Sequence, residues 1–259
     1  MLFPQALSAV AAGLLLLPMA YAEPEFTNHG NLSGWTRSIT EADGDITEVT
    51  DTTYRGDTAL MMTQTYKEGY SGRYHSEVIY KNGYQRGDEK YYGFAFRLSE
   101  DWEFIGSQSY NIAQWIADFK DTGCDDWSPT TMIYLKGNNL YSRIKTGTLR
   151  KGQCEQKTRE FSLKTGIVPG KWYHLTLHAK WESDETGLFE VLIDGNPVHE
   201  EHNIPTTLLD DNKTFDFRVG LYANGWHDKG FEGGQKKRTI WIDEVATGSE
   251  LADVEIGKQ

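Results

Sequence analysis

The polar side chains with chemical potential sit inside strand-like runs rather than between them: Arg73 and His75 in "GRYHSEVIY", Gln114 in "YNIAQWIADF" and Tyr222 in "FRVGLYANGW". A cation, an imidazole, an amide and a phenol can hold an anion and move a proton. Gln114 is the most informative of them. Ala113, Trp115, Ala117 and Phe119 alternate as one apolar face, which puts Ile112, Gln114, Ile116 and Asp118 on the other. A solvent-facing strand has no need of two isoleucines there, and a fully buried one would not carry Gln and Asp without partners. The intermediate case is the floor of a concave cleft. Hydrolysis of a glycoside would instead need two carboxylates across such a cleft. The E-x-D-x-x-E strand that supplies them in β-glucanases is missing, because "WESDETG" starts correctly and then places Gly187 where the second Glu belongs. Another carboxylate pair remains an open alternative.

The elements that must position these residues read as strands from end to end: "TALMMTQTY", "RYHSEVIY", "KYYGFAFRL", "YNIAQWIADF", "TMIYLKG", "LYSRIKT", "KWYHLTLHAKW", "GLFEVLID", "FDFRVGLYA" and "RTIWIDEVA". Gly, Asn and Asp punctuate them, as in "KGNN", "DGNP" and "NGW". Helical periodicity is nearly absent, with one short helical turn expected near "PTTLLDDN". No Pro-rich or low-complexity linker divides the chain, so one all-β domain over 23–259 is expected. Antiparallel strands in this number must hide their edges, in a closed barrel or in two curved sheets stacked as a jelly roll. Eight Trp and fourteen Tyr favour the sandwich with an aromatic-lined groove, a surface suited to sugar rings.

The first residues, "MLFPQALSAVAAGLLLLPMAYA", hold an apolar run ending in the small-x-small signal Ala20-Tyr21-Ala22, which predicts a signal peptide over 1–22 and a secreted mature chain. The run lacks the Lys or Arg usual at its start and is short for a membrane span. Two cysteines, Cys124 and Cys154, are expected to pair in an oxidising compartment. Sequons at Asn31-Leu32-Ser33 and Asn212-Lys213-Thr214 are permissive of the same route. A net charge of −12 argues against a nucleic-acid ligand and, at long range, against an acidic polymer. Local charge can reverse that: Arg73, Lys81, Arg86, Arg143, Lys145, Arg150, Lys151 and the "KKR" at 236–238 are enough to line one positive groove. Nothing suggests more than a monomer, and no membrane partner is expected.

In order along the chain, "HSEVI", "QWI" and "FRVGLY" are similar to three strand motifs of the β-jelly-roll alginate lyases: R-T-E-x-R, Q-I-H and Y-F-K-A-G-x-Y. With the "WIDEV" terminal strand and the single domain, the mature chain resembles most the fungal glucuronan lyases. The resemblance implies a β-jelly-roll sandwich of two curved antiparallel sheets with a concave groove, and cleavage of an acidic polysaccharide by β-elimination. Its first motif has His75 where the family has Arg, with Arg73 two residues earlier, so either cation is a candidate for the uronate carboxylate. Its second has Ile116 in place of His. In β-1,4-glucuronan the C5 proton and the C4 oxygen share one face of the ring, so one residue serves as base and acid, and the resemblance assigns that role to Tyr222. Gln114 would neutralise the carboxylate as the enolate-like state forms, with His75 or Arg73. Tyr134, Arg143, Lys145, Trp226 and His227 are further candidates for substrate binding. The family also implies a structural Ca²⁺ held by Asp243 of "WIDEV", with Asn28 and Asp57 as further ligands. Two alternatives stay open: a lectin-like jelly roll without activity, and a lyase for mannuronan.

Overall fold

The computed structural model describes residues 23–124 and 126–255, so the predicted signal peptide lies outside the described residues. Two antiparallel sheets are stacked face to face, as expected for a jelly roll. Sheet A runs β13 (Asn196–Ile204), β12 (Gly187–Ile193), β11 (Trp172–Lys180), β6 (Glu89–Leu98), β16 (Lys237–Gly248), β4 (Ala59–Thr65), β3 (Asp45–Val49), with β1 (Phe26–Asn28) paired to β16. Sheet B runs β10 (Gln153–Lys164), β9 (Asn139–Arg150), β8 (Trp127–Lys136), β7 (Ser109–Asp118), β15 (Thr214–Tyr222), β5 (His75–Gln85), β2 (Arg37–Thr40). A two-residue strand, β14 (Leu208–Leu209), joins β9 in parallel at Gly147 and Thr148, where a helical turn was expected. The one α-helix among the described residues is α1 (Asn224–Lys229), formed by a stretch that reads as a turn.

Alternation places the core. On β7 Trp115 is fully buried between the sheets, with its ring 4.9 Å from Phe217 and 5.0 Å from Tyr92. Most of the aromatic content goes here rather than into a groove. Tyr84 is sandwiched between Trp181 and Phe215 at 4.0 and 4.4 Å, and its hydroxyl bonds Thr130 and Thr207 at 2.6 and 2.8 Å. A buried tyrosine needs such partners for its oxygen. Cys124 and Cys154 form the expected disulfide, with Cα atoms 5.4 Å apart. It ties the segment after β7 to the start of β10 and contributes about 3 to 4 kcal/mol in the chain-entropy account. Among the described residues no helix is long and apolar enough to cross a membrane.

Candidate active site

The outward face of sheet B carries a cleft of about 460 Å³. Strand register explains what lines it, because residues directly opposite each other share a face. One row crosses the sheet as Arg37, Ile79, Arg218, Gln114, Met132, Arg143 and Glu160. A second row runs His75, Tyr222, Asn111, Tyr134 and Tyr141. Alternation along β15, in unbroken register with β5 from Arg218 to Tyr222, puts Tyr222 on the face of Arg218 and of Gln114 opposite it, so both rows face one cavity; the bulges between β7 and its neighbours shift Asn111 into the second row.

Tyr222 ends β15 at the edge of this floor. Arg73, in the loop just before β5, donates from Nη1 to the Tyr222 hydroxyl oxygen at 2.7 Å, and His75 stacks on the phenol with ring centroids 3.9 Å apart. Burial pushes the Tyr222 pKa up to about 12, against the lowering effect of the Arg73 cation. Arg73 is itself steered by Asp228 of α1 at 3.3 Å. His75 presents Nδ1 to Glu41 at 2.6 Å and lies 3.9 Å from Glu77 through Nε2. The two residues offered as alternatives for one task therefore do different things: Arg73 serves the phenol, while His75 is wedged between carboxylates.

Gln114 is almost wholly buried, and its Nε2 donates to both oxygens of Glu77 at 2.8 and 2.9 Å. A carboxylate only accepts, so this contact fixes which way the amide is turned. It also leaves at most one N–H for a ligand. Glu77 is fully buried on β5, and it reaches Gln114 across β15 at the level of Gly220. Gly220 has φ +149°, and a Cβ there would lie 2.3 Å from the Ser76 carbonyl oxygen. Only glycine fits that position.

The remaining predicted residues separate. Arg143 lines the cleft, where burial pushes its pKa below that of an ordinary guanidinium. Tyr134 lies on the second row, and its hydroxyl is committed to Glu160. Lys145 bonds Ser128 and Gln156 at 3.0 and 3.1 Å. Trp226 is not on the cleft: it is buried against Tyr74 and Tyr66, with its indole N–H donated to Tyr110 at 3.3 Å. His227 meets the site through Asp228 at 3.2 Å. Of the expected basic groove only Arg73 and Arg143 are in place; Arg86 and Arg150 are turned to Asp210 and Asp211, and Arg238 is buried under Trp102.

Sequence reasoning missed Arg37 and Trp127 altogether, Arg218 as part of the binding surface, and Glu77 as the buried partner of Gln114 beneath it. Arg218 is buried next to Gln114, held by Asp216 at 3.0 Å, and stacks under Trp127 at 4.6 Å from the ring centroid. Trp127 is 41% exposed, the aromatic platform that the cleft offers. Alternation did signal Glu77, which shares the His75 face of β5. The cleft thus carries four arginines, Arg37, Arg73, Arg143 and Arg218, on a chain that is acidic overall.

The corner proposed for a cation is formed by β1, β16 and the loop before β4. Asp243 is fully buried and accepts backbone N–H bonds from Tyr54, Arg55 and Glu244 at 2.7 to 3.1 Å. Asn28 uses its amide on Ser33 and Asn31, and Asp57 is exposed. Among the described residues no three His, Cys, Asp or Glu side chains converge as a metal cluster.

The family profile described as polysaccharide lyase matches residues 27–246. This chain belongs to the polysaccharide lyase family. The crystal structure of an endo-β-1,4-glucuronan lyase from the fungus Trichoderma reesei is 50% identical to the present lyase, with 91% of this chain and all of that one aligned at a TM-score of 0.88. Likeness of fold alone extends to the family 7 alginate lyase A1-II′ in complex with product, at 14% identity over 78% of this chain and 82% of that one, with a TM-score of 0.51. It also extends to the cellulose-induced protein Cip1, at 14% identity over 82% and 88% of the two chains, with a TM-score of 0.50. A search of curated sequences finds no match.

Proposed function

We propose that this lyase is a secreted enzyme that cuts β-1,4-linked glucuronan internally by syn β-elimination. The observation that carries the reading is Arg73 bonded to the Tyr222 oxygen at 2.7 Å on an arginine-lined floor, beside Gln114. Tyrosinate at 222 takes the C5 proton of a glucuronate; the electron pair forms the C4–C5 double bond, the C4–O bond breaks, and the same phenol returns the proton to the departing oxygen. The Arg73 cation lowers the cost of the tyrosinate in a buried site. A C5 proton beside a carboxylate anion becomes removable only if that charge is neutralised in the transition state. In this scheme the Gln114 amide, His75 and the guanidinium of Arg218, next in the same row, supply that neutralisation. Half identity to an endo-β-1,4-glucuronan lyase along nearly the whole chain supports glucuronan over mannuronan.

The test is ultraviolet absorbance of the unsaturated product during incubation with glucuronan, alginate and a neutral β-glucan in parallel. A rise with glucuronan that falls by about 10² to 10⁴ in Tyr222→Phe is expected. Binding without any rise would leave a lectin-like protein instead. A structural Ca²⁺ at Asp243 is part of the proposal, because that buried carboxylate has no ion pair among the described residues and oxygen ligands suit the ion. Chelation should then lower the melting temperature; an unchanged melting curve would remove the ion from the scheme.

A further inference from the structure

The outward face of sheet A, away from the catalytic cleft, holds a second cavity of about 530 Å³. Register again shows why it is there. Trp172, His174 and Thr176 point outward from β11, and the residues opposite the latter two on β6 are Ala95 and Gly93. Val254 packs on Gly93, where a Cβ would lie 2.8 Å from its carbonyl oxygen, so the hollow opens beside that contact, between Trp172, Tyr54, Asp194 and Glu255. One wall of the hollow is aromatic: Tyr54, 36% exposed, leans on Trp172 with ring centroids 5.5 Å apart at 59°.

Polar groups line the same hollow. His174 is nine-tenths buried, and its Nε2 has no hydrogen-bond partner among the described residues. Burial drives its pKa down to about 4, so the ring is neutral at neutral pH. Asp194, at the corner between β12 and β13 with φ +52°, is held by accepting the His174 backbone N–H at 2.9 Å. Beyond the cavity the outward face continues in register as Trp172, Arg97 and Trp241. Two strand spacings separate the indoles, about 9.5 Å, the reach of a β-1,4-linked disaccharide. Arg97 between them is already paired with Glu100 at 2.9 Å and lies 5.5 Å from the centroid of Trp241.

The structure assigns to this face a second, non-catalytic glycan site, built from Trp172, Tyr54, His174, Asp194 and Trp241, for an uncharged β-linked hexose chain. Aromatic faces meet the apolar faces of pyranose rings, and a neutral imidazole with a carboxylate suits hydroxyl groups. Charge disfavours the uronan: Asp194 and Glu255 face Lys171 in the hollow, whereas in the catalytic cleft Arg37, Arg73, Arg143 and Arg218 outnumber Glu41, Asp126 and Asp228. Of the site's cations, Arg97 is paired with Glu100, and Lys171, in the cavity lining, has its ammonium 4.9 Å from the centroid of the Tyr173 ring.

Calorimetric titration of the mature protein with cellohexaose tests this directly. Binding should survive Tyr222→Phe and weaken on the order of tenfold in Trp172→Ala. Tyr54→Ala, a change in the loop before β4, should weaken it in the same direction. Turnover of soluble glucuronan should be unchanged in both. The assignment is overturned if cellohexaose does not bind, or if it binds equally well to both aromatic variants. It is also overturned if Trp172→Ala weakens binding of glucuronan, measured in the Tyr222→Phe background, more than that of cellohexaose.

Discussion

Replacing Glu77 by Gln removes one charge from beneath the cleft and almost no volume. In the native chain this fully buried carboxylate accepts from Gln114 Nε2 at 2.8 and 2.9 Å. It imposes one orientation on the Gln114 amide, whereas an amide at 77 can accept through its oxygen or donate through its nitrogen and no longer chooses. A hydrogen bond to a charged partner contributes about 1.5 to 3 kcal/mol, so an amide freed to turn should lower kcat by about 10- to 10²-fold. KM should move far less, because the uronate needs its donor most as charge builds in the transition state. Stability should move the other way. Desolvating a neutral amide costs less than desolvating a carboxylate, so the melting temperature should hold or rise. Initial rates followed by product absorbance, together with a thermal melt, decide the matter. Unaltered kcat in Glu77→Gln, or a loss of kcat that simply follows a loss of stability, would refute the positioning role.

Other expectations concern pH. Tyr222 reacts as its anion and has a pKa pushed up to about 12, so kcat should climb with pH through the neutral and mildly alkaline range. Arg73→Ala removes the cation that opposes this rise, and should displace the climbing limb further to alkaline pH; a pH profile of unchanged shape would show that Arg73 does not tune the phenol. His174 has its pKa lowered from 6.5 to about 4. Its contribution to stability is complete above about 6.5 and is lost as pH falls from there toward 4, by up to about 3 kcal/mol. Denaturant titrations of wild type and His174→Gln across that range should differ in slope, and parallel curves would assign the acid sensitivity elsewhere.

Ten strands were legible in the sequence as apolar and aromatic runs bounded by turn residues; β12 alternates, whereas β7, β11 and β15 are buried on both faces. The strands it did not reveal include all four sheet edges, β2, β3, β10 and β13. β10 and β13 are largely exposed on both faces, which removes the period-2 signal that a half-buried strand must carry. Likewise α1 has only Gly225 and Trp226 buried, too little for a helical stripe in six residues.

Gln114 was recognisable from one strand alone, since a polar residue among isoleucines on a second face already requires a cleft. Tyr222 and Arg73 were visible as residue types in order along the chain, and the disulfide followed from an even count of two cysteines. What joined them was decided only by tertiary structure. Arg73 and Tyr222 are 149 positions apart and Glu77 and Gln114 are 37 apart, so their contacts depend on strand order. Trp226 shows the converse. Its aromatic ring suited a sugar groove and a core equally, and only the packing of α1 against Tyr74 and Tyr110 settled which surface it joined. A sequence fixes which face of a strand each residue takes, because the pleat has a period of two; which faces then meet is set by the order of strands in the sheet, and that order is long-range.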